Sequence, residues 1–212
     1  VSYRTRTEHF PPGITDESGV RQIAREVGEK GFTALKTNIF HYDDEGRIEG
    51  WSPGFSRPHE PGRNVERKTR KDLRKHLQIM REEAGPDIDI LLDLNFNGKT
   101  EGFLSMIREI EDLDLFWIEI DTLDPKALAY IRSKSRHPIS SCETLIGLQQ
   151  FLPFFREQAI DVAIIDTPWN GVWQSLKIAA AAEAHEINVA SHNFYGHLCT
   201  MMNAHFSAVV PN

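Results

Sequence analysis

The chain has 212 residues, 40% hydrophobic and 26% charged, which is ordinary globular composition and length enough for one large domain with its own core. A formal net charge of −7 argues against a nucleic-acid partner, which would demand an excess of basic surface. No run of about 18 apolar residues offers a membrane span, and the two cysteines, Cys142 and Cys199, form no CxxC pair, so a reduced, cytoplasmic protein is expected rather than a disulfide scaffold. Val1-Ser2-Tyr3-Arg4 opens the chain without an apolar leader, so no signal peptide is expected. Both that start and the end at Pro211-Asn212 read as cuts through a longer polypeptide.

In chain order the pattern is strand after helix. Helical periodicity over about 16–30 precedes a strand at 31–36, and a second helix over about 65–84 precedes Ile88 to Leu94, a nearly all-apolar run of the kind buried on both faces of a parallel sheet. A helix over about 101–112 leads to a strand ending at Glu119. One over about 125–134 leads to a strand ending at Glu143, one over about 145–158 to a strand ending at Asp166, and one over about 172–185 to a strand ending at His192. A last helix begins near His197. Six strands alternating with helices predict a parallel sheet, either open and doubly wound or closed into a barrel. No GxGxxG or GxxxxGK[ST] motif opens a helix, which removes the best argument for a nucleotide-binding open sheet. Residues 41–64 break the rhythm with four glycines and three prolines. A connection that long is read as a functional loop, with Trp51, Arg57 and His59 as candidate substrate contacts.

Asp93, Glu119, Glu143, Asp166 and His192 each close an otherwise apolar strand, at intervals of 26, 24, 23 and 26 residues. That is about the length of one βα unit, so each occupies the same place in its repeat, and in a barrel all would converge at the C-terminal mouth. Carboxylates on adjacent strands cannot share a low-dielectric site without a cation, and oxygen donors without cysteine favour Mg2+. An aspartate bonded to one imidazole nitrogen leaves the other as a base, which is the reading of Asp166 with His192. Asn193 and Tyr195, just past His192, are candidate substrate contacts. His197 reads as a helix-opening residue.

Together, Asp93-Leu94-Asn95, the Glu119 strand end, Ser141-Cys142-Glu143, the Asp166 strand end and Ser191-His192 resemble the mandelate racemase group of the enolase superfamily, over roughly residues 15–209. The resemblance implies a (β/α)8 TIM-type barrel spanning 1–212, here without the N-terminal capping domain and the last strand. It implies Asp93, Glu119 and Glu143 as Mg2+ ligands, Asn95 near the substrate, a His192–Asp166 dyad as general base, and Lys36 as the first lysine of a Lys-x-Lys motif that neutralises the substrate carboxylate. It also implies a homo-oligomer acting on a small carboxylate.

The chain departs from the group where the motif's second lysine should stand, since Lys36-Thr37-Asn38 puts Asn38 there, beside the substrate but unable to act as a base. Racemisation needs a base on each face of the α-carbon, so Asn38 favours one-base chemistry. Asp166 stands where the muconate-lactonising branch would place a lysine, which excludes that branch. The expected function is a Mg2+-dependent dehydratase of aldonates or aldarates; the alternatives are a hydroxy-acid racemase or epimerase, and a non-catalytic barrel kept as a scaffold.

Overall fold

Asp16 closes the start of the first helix, α1 (Glu17–Glu29), where its carboxylate accepts the Gly19 amide at 2.9 Å and so meets one of the orphan donors of a helix N-terminus. The computed structural model describes residues 14–52 and 65–212, which divide into two units. One runs to Glu119 and includes Ser135–His137; the other comprises Ile120–Lys134 and Pro138–Asn212.

In the first unit, Val20, Ala24 and Val27 form the buried stripe of α1 at the spacing of a single helix face. Gly31, at φ +77°, lets the chain turn after the helix into β1 (Ala34–Thr37). An antiparallel hairpin follows, β2 (Ile39–Tyr42) and β3 (Ile48–Ser52). α2 (Arg67–Ala84) buries Leu73, Leu77 and Met80 and is followed by β4 (Asp89–Asp93), α3 (Thr100–Glu109) and β5 (Trp117–Glu119). β1 pairs with β4 and β4 with β5, both parallel, with Thr37 opposite Leu92 and Asp93 opposite Glu119. The C-terminal ends of these strands therefore share one edge.

The second unit repeats the plan. α4 (Pro125–Arg132) is capped by Asp124, whose Oδ1 accepts the amides of Lys126 and Ala127. β6 (Ile139–Ser141), α5 (Leu148–Arg156), β7 (Val162–Ile165), α6 (Thr167–Glu183), β8 (Asn188–Ser191) and α7 (His197–Ser207) follow. β6, β7 and β8 are parallel, with Ser141 opposite Ala163 and Ile165 opposite Ser191. Every residue of β7 is buried, as a strand covered on both faces requires. Among the described residues no helix is long and apolar enough to cross a membrane.

Two expectations need correction. The stretch read as one long loop from 41 begins as the β2–β3 hairpin. Asp43 organises its turn by accepting the amides of Glu45 and Arg47, and Gly46 at φ +80° supplies the left-handed residue. α6 starts at Thr167 rather than near 172, because Asp166 caps it and Pro168 sits in the first turn, where no amide is needed. The helix then breaks at Gly171, φ +70°.

Behind β1, α2 carries a fully buried polar residue, His76. Its Nε2 lies 2.8 Å from the Thr37 hydroxyl and its Nδ1 2.7 Å from the Tyr42 hydroxyl, and its ring stacks on Phe40 with centroids 4.6 Å apart. A neutral imidazole has one donor and one acceptor nitrogen, and two hydroxyls satisfy both. Burial pushes the His76 pKa from 6.5 down to about 3. Stability carried by the neutral ring is therefore complete above about pH 6.5, the unfolded value, and is lost as the pH falls toward 3. At pH 7.5, His76→Gln should lower the stability measured by urea unfolding by about 2 kcal/mol, since at least one buried hydroxyl loses its partner. The gap to wild type should narrow as the pH is lowered to 4. A gap independent of pH would mean that the folded ring takes up a proton as readily as the unfolded one.

Candidate active site

In the first unit the strand ends bring acidic side chains together. Parallel register sets Asp93 directly beside Glu119, and both are buried, at 7% and 0% relative exposure. Lys36, two residues before Asn38 on β1, sends its amine to both. Nζ lies 3.1 Å from Asp93 Oδ2 and forms an ion pair with Glu119 Oε2. Two buried carboxylates on neighbouring strands repel unless a cation lies between them, and the lysine meets that requirement.

The turn after β4 is fixed from two sides. Asn95 has φ +45°, a left-handed conformation that asparagine tolerates better than most residues, and its amide donates to Asp93 Oδ1 at 2.9 Å. Asn38 Nδ2 donates to the Asp93 carbonyl and to Asn95 Oδ1, both at 3.2 Å. The expected substrate contacts Asn38 and Asn95 thus brace each other and the carboxylate-bearing strand end. The donor chemistry here, hard carboxylate oxygens already compensated by one positive charge, fits a divalent cation such as Mg2+, which is usually held by one or two carboxylates plus water and substrate oxygens.

In the second unit the centre is Asp166, fully buried at the end of β7. As the cap of α6, its Oδ1 accepts the Trp169 amide at 2.9 Å. Oδ2 accepts from His192 Nδ1 at 2.7 Å and from the Tyr195 hydroxyl at 3.1 Å. The other ring nitrogen, Nε2, lies 3.2 Å from Glu143 Oε2. The His192 backbone is held as well, its amide donating to the Ile165 carbonyl and its carbonyl accepting from Asn203 Nδ2 at 2.6 Å. An imidazole whose Nδ1–H is committed to a carboxylate presents Nε2 for proton transfer. Burial and then the Asp166 charge push the Tyr195 hydroxyl up to about 12, so it remains a donor to the carboxylate at neutral pH.

The structure does not treat the other expected contacts alike. Tyr195 faces Asp166 and works on the dyad, a role its position in the sequence did not reveal. Asn193 is exposed and pairs with Thr200 at 3.2 Å. His197 opens α7. Trp51 lies on β3, opposite Phe40 in the ladder; its side chain, like Arg57 and His59, falls outside the described residues.

Residues 19–212 match the family model described as enolase C-terminal domain-like. A D-galactonate dehydratase family member of Oceanicola granulosus is 28% identical over 99% of the chain and 43% of its own length. A D-gluconate dehydratase of Thermoproteus tenax is 25% identical over 94% of the chain and 37% of its own length. A Burkholderia xenovorans protein provisionally named L-alanine-DL-glutamate epimerase, solved with magnesium and fumarate, is 58% identical over 99% of the chain and 52% of its own, with a TM-score of 0.93. The chain spans about half the length of that solved relative and less than half of the two dehydratase relatives. Its fold is α/β, of the TIM-barrel type of the enolase C-terminal domain.

Removing the Lys36 amine leaves Asp93 and Glu119 facing each other. Lys36→Met should therefore lower stability in the presence of a chelator by about 2–3 kcal/mol, less than breaking a fully buried pair, because Lys36 is partly exposed. Urea unfolding in EDTA measures this directly. An unchanged midpoint would mean that the lysine neutralises neither carboxylate.

Proposed function

The chain belongs to the enolase C-terminal domain-like family, and on that premise we propose that it is the barrel domain of a Mg2+-dependent acid-sugar dehydratase, one that converts an aldonate or aldarate to a 2-keto-3-deoxy acid. The observation that carries the reading is the His192 imidazole, fixed on Asp166 at 2.7 Å and turned with Nε2 outward from that bond. The dehydratase relatives support the reaction class.

In this proposal Asp93, Glu119 and Glu143 hold the cation, an assignment that rests on their equivalent strand-end positions and on the family pattern. When bound, Mg2+ supplies the positive charge that stabilises the enediolate of a carboxylate substrate. Lys36 adds a second positive charge for the substrate carboxylate. His192 Nε2 takes the proton from the α-carbon, and Asp166 stabilises the imidazolium that forms. The same imidazolium then returns its proton to the departing β-hydroxyl. The C–O bond breaks as water leaves, and the enol product becomes the 2-keto acid by tautomerisation.

Epimerisation is the second reading, favoured by the name of the magnesium-bound relative. It needs a base on each face of the α-carbon. Asn38 has no titratable proton, and its amide is engaged by Asp93 and Asn95. A non-catalytic scaffold has no need to bury Asp166 against a histidine, because buried charged groups cost stability unless paired.

The test is a panel of aldonates and aldarates incubated with the complete polypeptide and Mg2+, assayed for 2-keto acid. Turnover should disappear with EDTA and fall by roughly 10^3-fold in His192→Asn, while Glu143→Gln should lose Mg2+ response and turnover together. Deuterium entering the substrate α-carbon from D2O without keto product would make the enzyme an epimerase. Neither signal across a broad panel would sink both enzymatic readings.

A further inference from the structure

The loop between β6 and α5 carries Glu143 and is built in an unfavourable conformation. Cys142, which precedes Glu143, has φ +91°, and Gly147, which ends the loop, has φ +77°. The glycine suits its position, whereas a cysteine there is held by its surroundings rather than by its own preference. Glu143 is buried, and its carboxylate meets His192 Nε2. Something outside the loop must keep this turn in place.

The side chain of Asn170 does so. It lies in the first turn of α6, directly before Gly171 breaks the helix, and its carboxamide makes three hydrogen bonds to backbone. Oδ1 accepts the Gly147 amide at 2.7 Å, and Nδ2 donates to the Leu145 carbonyl at 3.1 Å and to the Asp166 carbonyl at 3.0 Å. One acceptor facing an N–H and one amino group facing two carbonyls leave a single sensible orientation of the amide. Two further loop bonds are local. Leu145 N–H reaches the Cys142 carbonyl at 3.0 Å, and Ile146 N–H reaches Gln150 Oε1 on α5 at 2.7 Å. The Asn170 bonds join the backbone of the Glu143 loop to the backbone of the strand end that bears Asp166, while His192 joins the two carboxylate side chains.

We propose that Asn170 is a positioning residue: it ties the Glu143 loop to the backbone of Asp166, so that Glu143 is held in ligand geometry beside the His192–Asp166 dyad. The inference rests on the proposed role of Glu143 as a metal ligand. Outer-shell groups that orient a ligand commonly change metal affinity 10–100-fold when lost. Asn170→Ala removes all three bonds. Asn170→Asp keeps the size and the acceptor but turns both donations into repulsions between oxygens. Gln150→Ala removes a loop bond that does not reach Asp166.

The experiment uses the complete polypeptide, with Mn2+ binding followed by electron paramagnetic resonance and amide hydrogen exchange followed across 142–147 without metal. Both Asn170 variants should weaken Mn2+ binding by about tenfold or more and speed exchange in the loop, whereas Gln150→Ala should leave Mn2+ affinity within about twofold of wild type. Asn170→Asp, matched in size, covers the case in which the alanine variant does not fold. Folded Asn170 variants with a lowered melting temperature but wild-type exchange and Mn2+ affinity would overturn the proposal and leave Asn170 a stabilising residue. Equal weakening by Gln150→Ala would also overturn it, since any loosening of the loop would then suffice. Wild-type protein that binds no Mn2+ would remove the ligand role of Glu143, and the function of Asn170 proposed with it, even where loop exchange depends on Asn170.

Discussion

Buried negative charge at strand ends is the constraint on which the candidate site depends. In each unit a pair of these carboxylates meets one nitrogen-bearing side chain. In the first, Asp93 and Glu119 share the Lys36 amine; in the second, Glu143 and Asp166 lie on opposite nitrogens of the His192 ring. Desolvated carboxylates are tolerable only with such partners, so these nitrogens are tied to the fold as firmly as to any chemistry. A lysine and a histidine differ in what they can then do. The amine is a fixed positive charge for a substrate carboxylate. The imidazole, held at Nδ1 by Asp166, retains a second nitrogen that can take up and release a proton.

The backbone is shaped to serve those carboxylates. After β4 and after β6 the chain passes through a left-handed residue that is not glycine, Asn95 in one case and Cys142 in the other. Each turn is then tied by a side-chain amide from another element. Asn38 of the β1 end holds the Asp93–Asn95 turn, and Asn170 of α6 holds the Glu143 loop. A carboxamide suits this work because it offers donors and an acceptor together without adding charge to a site already crowded with it.

Much of this was legible in the sequence because a βα repeat keeps its phase. The positions of Asp93, Glu119, Asp166 and His192 at or beside strand ends follow from apolar runs that stop at a charged residue, and the structure starts or ends its strands within a few residues of those points. The hairpin at 39–52 was not legible, since a count of glycines and prolines over 41–64 hid the Asp43–Gly46 turn inside it. The start of α6 lies five residues before the apolar periodicity at 172, because it is set by Asp166-Thr167-Pro168, a helix-start pattern that coincides with the residue carrying the site's charge. Tyr195 and Asn170 could be seen only in space. Each acts on Asp166, from 29 residues along the chain in one case and through a backbone carbonyl in the other, and neither contact leaves a periodic trace.

Asn38 joins the structural and chemical arguments. Where the family pattern has a second lysine, this chain has a residue that cannot accept a proton, and the amide is spent on the Asp93 carbonyl and the Asn95 side chain. The exchange is therefore more than a lost base, because the position has become part of the support for a carboxylate-bearing strand end. Restoring a lysine there would remove that support while adding a third charge beside Lys36, so the two designs are alternatives rather than neighbours a single substitution apart. A site with one mobile proton, on His192, can remove an α-hydrogen and hand the same proton to a hydroxyl leaving from the same face. Among the described residues, Asn38 offers no second donor with which to return a proton to the opposite face. Elimination is the reaction that such a one-sided arrangement performs without further help, and this is why the dehydratase reading stands ahead of the epimerase one despite the name carried by the magnesium-bound relative.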